Sequence, residues 1–139
     1  MSRESRLLAG VILVTVPTVM FGGLTILSFL TGRAEGYVDN PLRQDMWRAG
    51  HAHAGVYLVL SLVMLRYVDE AALSPSWKWV ARLGAPVAAI LIPAAFFLST
   101  LSPTAREASA LVNLVYPGAA ALAVGVLTLG VGLIRAHER

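Results

Sequence analysis

The sequence predicts an all-α fold, an integral membrane four-helix bundle in which residues 1–139 form a single transmembrane domain. Hydrophobic residues make up 57% of the chain and charged residues only 14%, a balance that would leave a soluble domain of this size with too much exposed apolar surface. Four stretches contain no charged residue, and each approaches the roughly 20 residues that cross a bilayer core of about 30 Å. These stretches are 7–32, 49–65, 83–105 and 108–134.

The bounds of the helices follow from these stretches and from local start signals. The second stretch is the shortest, and we expect it to gain a turn from residues 46–48. The pair Asn40-Pro41 is typical of a helix N-cap followed by the first helical position. A short amphipathic helix over 40–47 is therefore expected on the outer surface, leading into helix 2. We predict the membrane helices over 7–32, 46–66, 79–102 and 108–134.

The basic residues predict the orientation of the helices. Of the 11 Lys and Arg residues, seven lie on the side of the N-terminus and four on the opposite side. The positive-inside rule then places both termini in the cytoplasm of a multi-pass protein of the plasma (inner) membrane. The seven are Arg3, Arg6, Arg66, Lys78, Arg82, Arg135 and Arg139, and the four are Arg33, Arg43, Arg48 and Arg106.

Composition excludes several partners and cofactors. The net charge of +3 comes from basic residues spread over helix ends, so we expect the lipid bilayer as a partner and no nucleic acid. The chain has no cysteine, which excludes disulfides, thiolate metal sites, iron–sulfur clusters and covalently attached c-type haem. No nucleophile–base set, phosphate loop or carboxylate pair lies in the apolar stretches, so nothing favours a hydrolase or a kinase.

Two histidines, His51 and His53, stand at the outer end of helix 2 and are the most informative residues of the chain. An ionisable side chain at membrane depth is costly and is by default a functional candidate. Residues two apart on a helix point about 200° apart, so a regular helix cannot turn both imidazoles toward one metal ion. We expect the face of His53 to turn toward the bundle interior, where Gly50 would leave room for a flat group such as haem. This face also carries Met46, Tyr57, Ser61 and Met64.

Polar side chains on other helices are expected at the same depth. Asn113 and Tyr116 are unusual in an apolar helix, and both fall near the membrane surface that carries the histidines. Together with Tyr57, they are candidates for hydrogen bonds around a cofactor held by His53. This distribution predicts an outward-facing pocket.

The segment 45–55, DMWRAGHAHAG, resembles the helix openings of the haem–copper oxidase large-subunit superfamily. It is most similar to bacterial haem- and copper-containing membrane proteins of the nitric-oxide response, which carry an H-A-H-E element. It also resembles a small four-helix membrane family of high-GC actinobacteria. In the oxidase superfamily, histidines on transmembrane helices ligate haem or copper, and the resemblance implies that role for His51 and His53. The likeness is confined to helix 2.

The leading hypothesis is a protein that binds haem b or a transition metal (Cu, Zn or Fe) in electron transfer, gas sensing or metal handling. His53 would be the axial or metal ligand. His51 would be a second ligand across an oligomer interface, or a hydrogen-bond partner, and Met46 or Met20 are alternative second ligands. Because one chain offers few ligands, we expect a homo-oligomer. The small residues of helix 4 would suit a second copy or packing within the bundle.

Three other interpretations stay open. In the first, the histidines only form hydrogen bonds with loop carbonyls, acidic side chains or lipid phosphate. In the second, the chain is a non-catalytic accessory subunit of a larger membrane complex, with which it would co-purify. In the third, it is a small transporter or channel, which requires a continuous polar path that the apolar inner halves of helices 2 and 4 disfavour.

Overall fold

The computed structural model describes residues 1–137, which form four long helices and contain no strand. The all-α class and the number of helices are therefore confirmed. A 3₁₀ turn, Ala110–Leu114, leads into the last helix. Arg139, one of the basic residues counted on the N-terminal side, lies outside the described residues. The helices are α1 (Arg3–Thr31), α2 (Pro41–Tyr67), α3 (Pro75–Ser99) and α4 (Val115–His137).

The start of α2 differs from the prediction. The side chain of Asn40 accepts a hydrogen bond from the backbone N–H of Arg43, and Pro41 occupies the first helical position. No break follows, so the segment 40–47 is not a separate surface helix. The helix begins at Pro41 instead of residue 46, because the cap and the proline start one continuous helix of 27 residues.

Three helical segments within residues 1–137 are long and apolar enough to cross a membrane, whereas the sequence predicts four. These segments are Arg3–Thr31, Pro75–Ser99 and Ala110–His137. The helix outside this set is α2, whose first half carries charged residues and both histidines. The uninterrupted apolar part of α2, between His53 and Arg66, is shorter than a membrane span, which explains this difference.

The helices pack in chain order, with α3 between α2 and α4. The closest approach is the crossing of α3 and α4, where a Cβ atom built on Gly84 would lie 2.7 Å from the Cα of Gly125. Gly118 and Gly132, seven residues to either side of Gly125, pack against Ile92 and Leu73. Small residues permit such approaches in membrane proteins. This glycine face of α4 is therefore used within the chain and is not free for a second copy.

Helix α1 packs mainly against α2 and leaves much of its apolar surface exposed. Val14 and Phe21, for example, are 78% and 72% exposed. Lipid chains are as apolar as these side chains, so such a surface is compatible with contact with a bilayer. The open packing also leaves grooves beside α1, one of which contains a histidine.

A network of hydrogen bonds and one ion pair stabilises the end of the molecule that carries the N-terminus. The side chain of Arg82 is nearly buried, forms an ion pair with Asp69 at 2.7 Å and donates to the hydroxyls of Ser5 and Ser2. The backbone N–H of Ser2 donates to the same carboxylate at 2.6 Å. Burial by itself would raise the pKa of Asp69, but the hydrogen bonds from Ser2 and Arg82 lower it to about 2. The network therefore joins α1, the α2–α3 loop and α3 through an ionised carboxylate.

Candidate functional site

The end of the molecule opposite the N-terminus carries both histidines, and we call it the histidine end. There, the buried side chain of Arg43 holds the start of α2. The guanidinium of Arg43 donates to the carbonyl oxygens of Gly36, Thr100 and Leu101 at 3.0–3.2 Å. It also lies 4.3 Å from the ring centroid of Trp47. Three carbonyls are thus satisfied by one side chain, which fixes α2 against the α1–α2 loop and the end of α3.

Asparagine and aromatic side chains complete this end. The amide of Asn40 donates to the carbonyls of Pro103 and Ala105, which ties the start of α2 to the α3–α4 connection. An aromatic cluster lies beneath it, with neighbouring ring centroids 5.7–6.1 Å apart. Sequence reasoning missed Arg43 as an organising residue, and its position three residues after the Asn40 cap was the only available signal. The cluster consists of Phe29, Tyr37, Trp47 and Phe97.

The imidazole of His53 is oriented by its own helix. Its Nδ1 lies 2.7 Å from the carbonyl oxygen of Ala49, and because a carbonyl only accepts, Nδ1 carries the proton. The neutral ring then has its lone pair on Nε2. The ring is half-buried between the aromatic rings of Tyr57 and Phe96, with centroids 5.5 and 5.3 Å away. Ligating histidines are commonly oriented by this kind of carbonyl contact.

The space expected above Gly50 is filled. A Cβ atom built on Gly50 would lie 3.0 Å from Phe97 and 3.2 Å from Phe96, so α3 packs directly on this glycine. The face predicted to turn inward does so, because Gly50, Ser61 and Met64 are buried. It meets aromatic side chains instead of a cavity, and a haem has no room there. The open side of His53 is a shallow depression of about 190 Å³ beside Ala52, Val56 and Tyr57.

The second imidazole, that of His51, points to another helix. Its ring lies on α1 at Gly22 and Gly23, and a Cβ atom built on Gly23 would lie 2.9 Å from Cε1 and Nε2 of His51. His51 therefore meets α1 while His53 meets α3, in agreement with the angular separation expected for residues two apart. A single chain does not bring the two imidazoles to one ion. Within residues 1–137, no group of three or more His, Asp or Glu side chains is arranged to hold a metal ion.

The other predicted site residues are only partly brought together. Tyr57 contacts the His53 ring, and half-buried Met46 lies two turns before His53 on α2. Asn113 and Tyr116 are exposed at the start of the last helix, Tyr116 to 73%, and neither forms a hydrogen bond with a histidine. They are displaced because the last helix packs on α3 and hardly touches α2. The structure thus assembles His53 with Tyr57 and leaves the polar residues of the last helix apart.

Comparison with family models, with curated proteins and with solved structures finds no match to this chain.

Proposed function

We propose that this protein is an integral membrane protein that binds haem b or a transition metal ion through Nε2 of His53, at a site completed by a second chain. The observation that carries the proposal is the hydrogen bond from Nδ1 of His53 to the carbonyl of Ala49. It holds the ring in one orientation and leaves the lone pair of Nε2 available to bind a metal. Imidazole in this state is a ligand for iron, copper and zinc alike.

The proposal includes a second chain because one chain supplies too few ligands and too shallow a site for a cofactor. His53 is the one imidazole of the depression, and the depression is too shallow to enclose a porphyrin. Two copies facing each other across Ala52 and Val56 would offer two imidazoles and would cover the open side. Such a pair would suit a bis-histidine haem or the first two ligands of a metal ion.

The chain's own residues would then have distinct tasks. His53 binds the cofactor, Ala49 orients the imidazole, and the rings of Phe96 and Tyr57 limit the access of water to it. When bound, haem would supply one-electron transfer or the binding of a diatomic gas, and a metal ion would supply a Lewis-acid or transport site. His51 is not assigned to this site, because its ring packs on α1.

The test is an absorption spectrum and a metal analysis of protein purified in mild detergent from its native membrane. We expect a Soret band or a stoichiometric metal, lost in His53→Ala and retained in His51→Ala, which removes the other histidine two residues away. Circular dichroism confirms that both variants remain helical. Wild-type protein without colour or metal, or equal loss in both variants, would overturn the proposal.

A second candidate function is that of a non-catalytic accessory subunit, and the exposed apolar surface of α1 favours it. Large side chains such as Val14 and Phe21 extend from a helix that packs mainly on α2, so a partner's helix would find a continuous surface there. The measurement is co-purification in mild detergent. A larger membrane protein recovered in fixed ratio with a cofactor-free chain would establish this function in place of the first.

A further inference from the structure

An apolar cleft runs between α1 and α2 on the side of His51, away from the depression at His53. Its cavity volume is about 300 Å³. Val19 and Met20 form one wall, and Gly55, Leu58 and Val59 form the other. From His51 to its far end at Leu62 the cleft follows α2 for about 16 Å, at 1.5 Å per residue. It is therefore long and narrow, with a single ionisable side chain, His51, at one end.

The imidazole of His51 has no hydrogen-bond partner among residues 1–137, although it is half-buried. Its ring lies on Gly22 and Gly23, which are about 25 Å along α1 from Arg6 by the helical rise. In a bilayer core of about 30 Å, that depth places the ring below the headgroups of the far leaflet. An imidazole that faces acyl chains at that depth without a hydrogen-bond partner is costly to leave unpaired.

We propose that the α1–α2 cleft binds a lipid-soluble molecule with a ring that carries carbonyl or hydroxyl groups, of the prenylated quinone class. The ring would form a hydrogen bond with His51, and the isoprenoid tail would lie along Leu58 and Val59. Imidazole both donates and accepts, so it can pair with the carbonyl of a quinone or the hydroxyl of a quinol. The proposal concerns binding alone and does not depend on a cofactor at His53.

The chemistry of the cleft favours this ligand over a phospholipid. A phosphate headgroup would be expected to meet an arginine or lysine, and no basic side chain lines the cleft. Arg48, one turn from His51, is exposed and does not line the cleft. A single imidazole beside an otherwise apolar wall matches a polar, uncharged head on an apolar tail, as in most small-molecule sites.

Two adjacent glycines provide a matched pair of variants. The side chain added in Gly23→Ala would collide with the far edge of the His51 ring, which would shift toward the cleft. The side chain added in Gly22→Ala would lie 3.9 Å from the ring, an ordinary contact. Because the colliding atoms belong to a side chain that can rotate, Gly23→Ala is expected to fold and to lose ligand.

The experiment titrates the full chain in phosphatidylcholine nanodiscs with a benzoquinone that carries a decyl tail, followed by tryptophan fluorescence. Trp47 lies one helical turn from His51, so a quinone in the cleft quenches it. We expect saturable quenching in the wild type and in His53→Phe. Loss of one hydrogen bond predicts about tenfold weaker binding for His51→Phe, and Gly23→Ala should weaken binding while Gly22→Ala leaves it unchanged.

Four outcomes would overturn the proposal. One is quenching that does not saturate, which would mean partition into lipid alone. Another is equal affinity in His51→Phe and the wild type. The third is equal competition by a tailed hydrocarbon ring without oxygen atoms, which would assign the cleft to an acyl chain. The fourth is displacement by phosphatidic acid, which would assign the cleft to a phospholipid. Because His53→Phe is expected to bind quinone normally, failure of the cofactor proposal and failure of this one remain distinguishable.

Discussion

At the residue scale, Asp69 links the stability of the protein to pH. Its pKa in the folded protein is about 2, below the ordinary value of 3.8, because the hydrogen bonds from Ser2 and Arg82 outweigh its burial. A lowered pKa means that the ionised form stabilises the fold above pH 3.8 and that this contribution is lost as the pH falls toward 2. We expect the unfolding temperature in detergent to decrease over that interval in the wild type, and to decrease less in Asp69→Asn.

The same carboxylate predicts an effect at neutral pH. Asp69→Asn leaves the nearly buried guanidinium of Arg82 without its counter-charge and should reduce the free energy of unfolding by about 1–3 kcal/mol. The control is Glu70→Gln, which removes an exposed pair with Arg66 and should change stability by about 0–1 kcal/mol. Thermal unfolding at pH 7 distinguishes them, and equal effects would mean that the network contributes no more than a surface pair.

Residue-scale predictions from the sequence succeeded where they depended on helix geometry alone. The angular separation of His51 and His53 follows from 3.6 residues per turn, and the structure turns them to different helices. What each ring meets was beyond the sequence, because it depends on the packing of α1 and α3. For the same reason the sequence predicted empty space above Gly50, whereas Phe96 and Phe97 of α3 fill that space.

At the element scale, the crossing of α3 and α4 depends on Gly84 and Gly125. A Cβ atom on Gly84 would lie 2.7 Å from the carbonyl oxygen of Ala121, and backbone atoms cannot rotate away. We expect Gly84→Ala to separate the helices and to reduce the free energy of unfolding by about 1–3 kcal/mol. Gly130→Ala is the control, since nothing lies within 4 Å of its added atom. If both variants unfold alike in detergent, the crossing is more tolerant than its geometry indicates.

The sequence located the helices but not their exact starts. Helices 2 and 3 were predicted from residues 46 and 79, whereas α2 and α3 begin at Pro41 and Pro75, because a proline at the first helical position lets the helix begin before the apolar stretch. The glycine face of α4 was also visible in the sequence, but whether it met α3 or another copy depended on long-range packing. The answer came from Gly84, whose own lack of a side chain allows α3 to occupy that face.

At the scale of the whole molecule, the order of packing was not predictable. Hydrophobic stretches indicate membrane helices but not their neighbours, because in lipid an apolar side chain is equally well placed against another helix or a lipid tail. The structure leaves α1 beside α2 with much of its surface exposed, and α2 presents two separate candidate faces. One carries His53 and its shallow depression, and the other carries His51 and its cleft.

These two faces lead to a prediction about assembly. The chain has no cysteine, so a single introduced cysteine reports contact between copies without background. Val56, 61% exposed, borders the depression at His53, whereas Val59, 62% exposed, lines the cleft at His51. If two copies meet at the depression about a two-fold axis, residues near that axis lie close to their own counterparts.

We therefore expect Val56→Cys to form a disulfide-linked dimer when native membranes are oxidised, and Val59→Cys to remain a monomer on a non-reducing gel. A disulfide requires Cα atoms within about 7 Å, so cross-linking would place the two His53 rings near each other as well. Equal cross-linking of both variants would indicate random collision, and none at Val56 would remove the second chain from the proposed site. A cofactor still lost in His53→Ala would then have to draw its other ligand from a different protein.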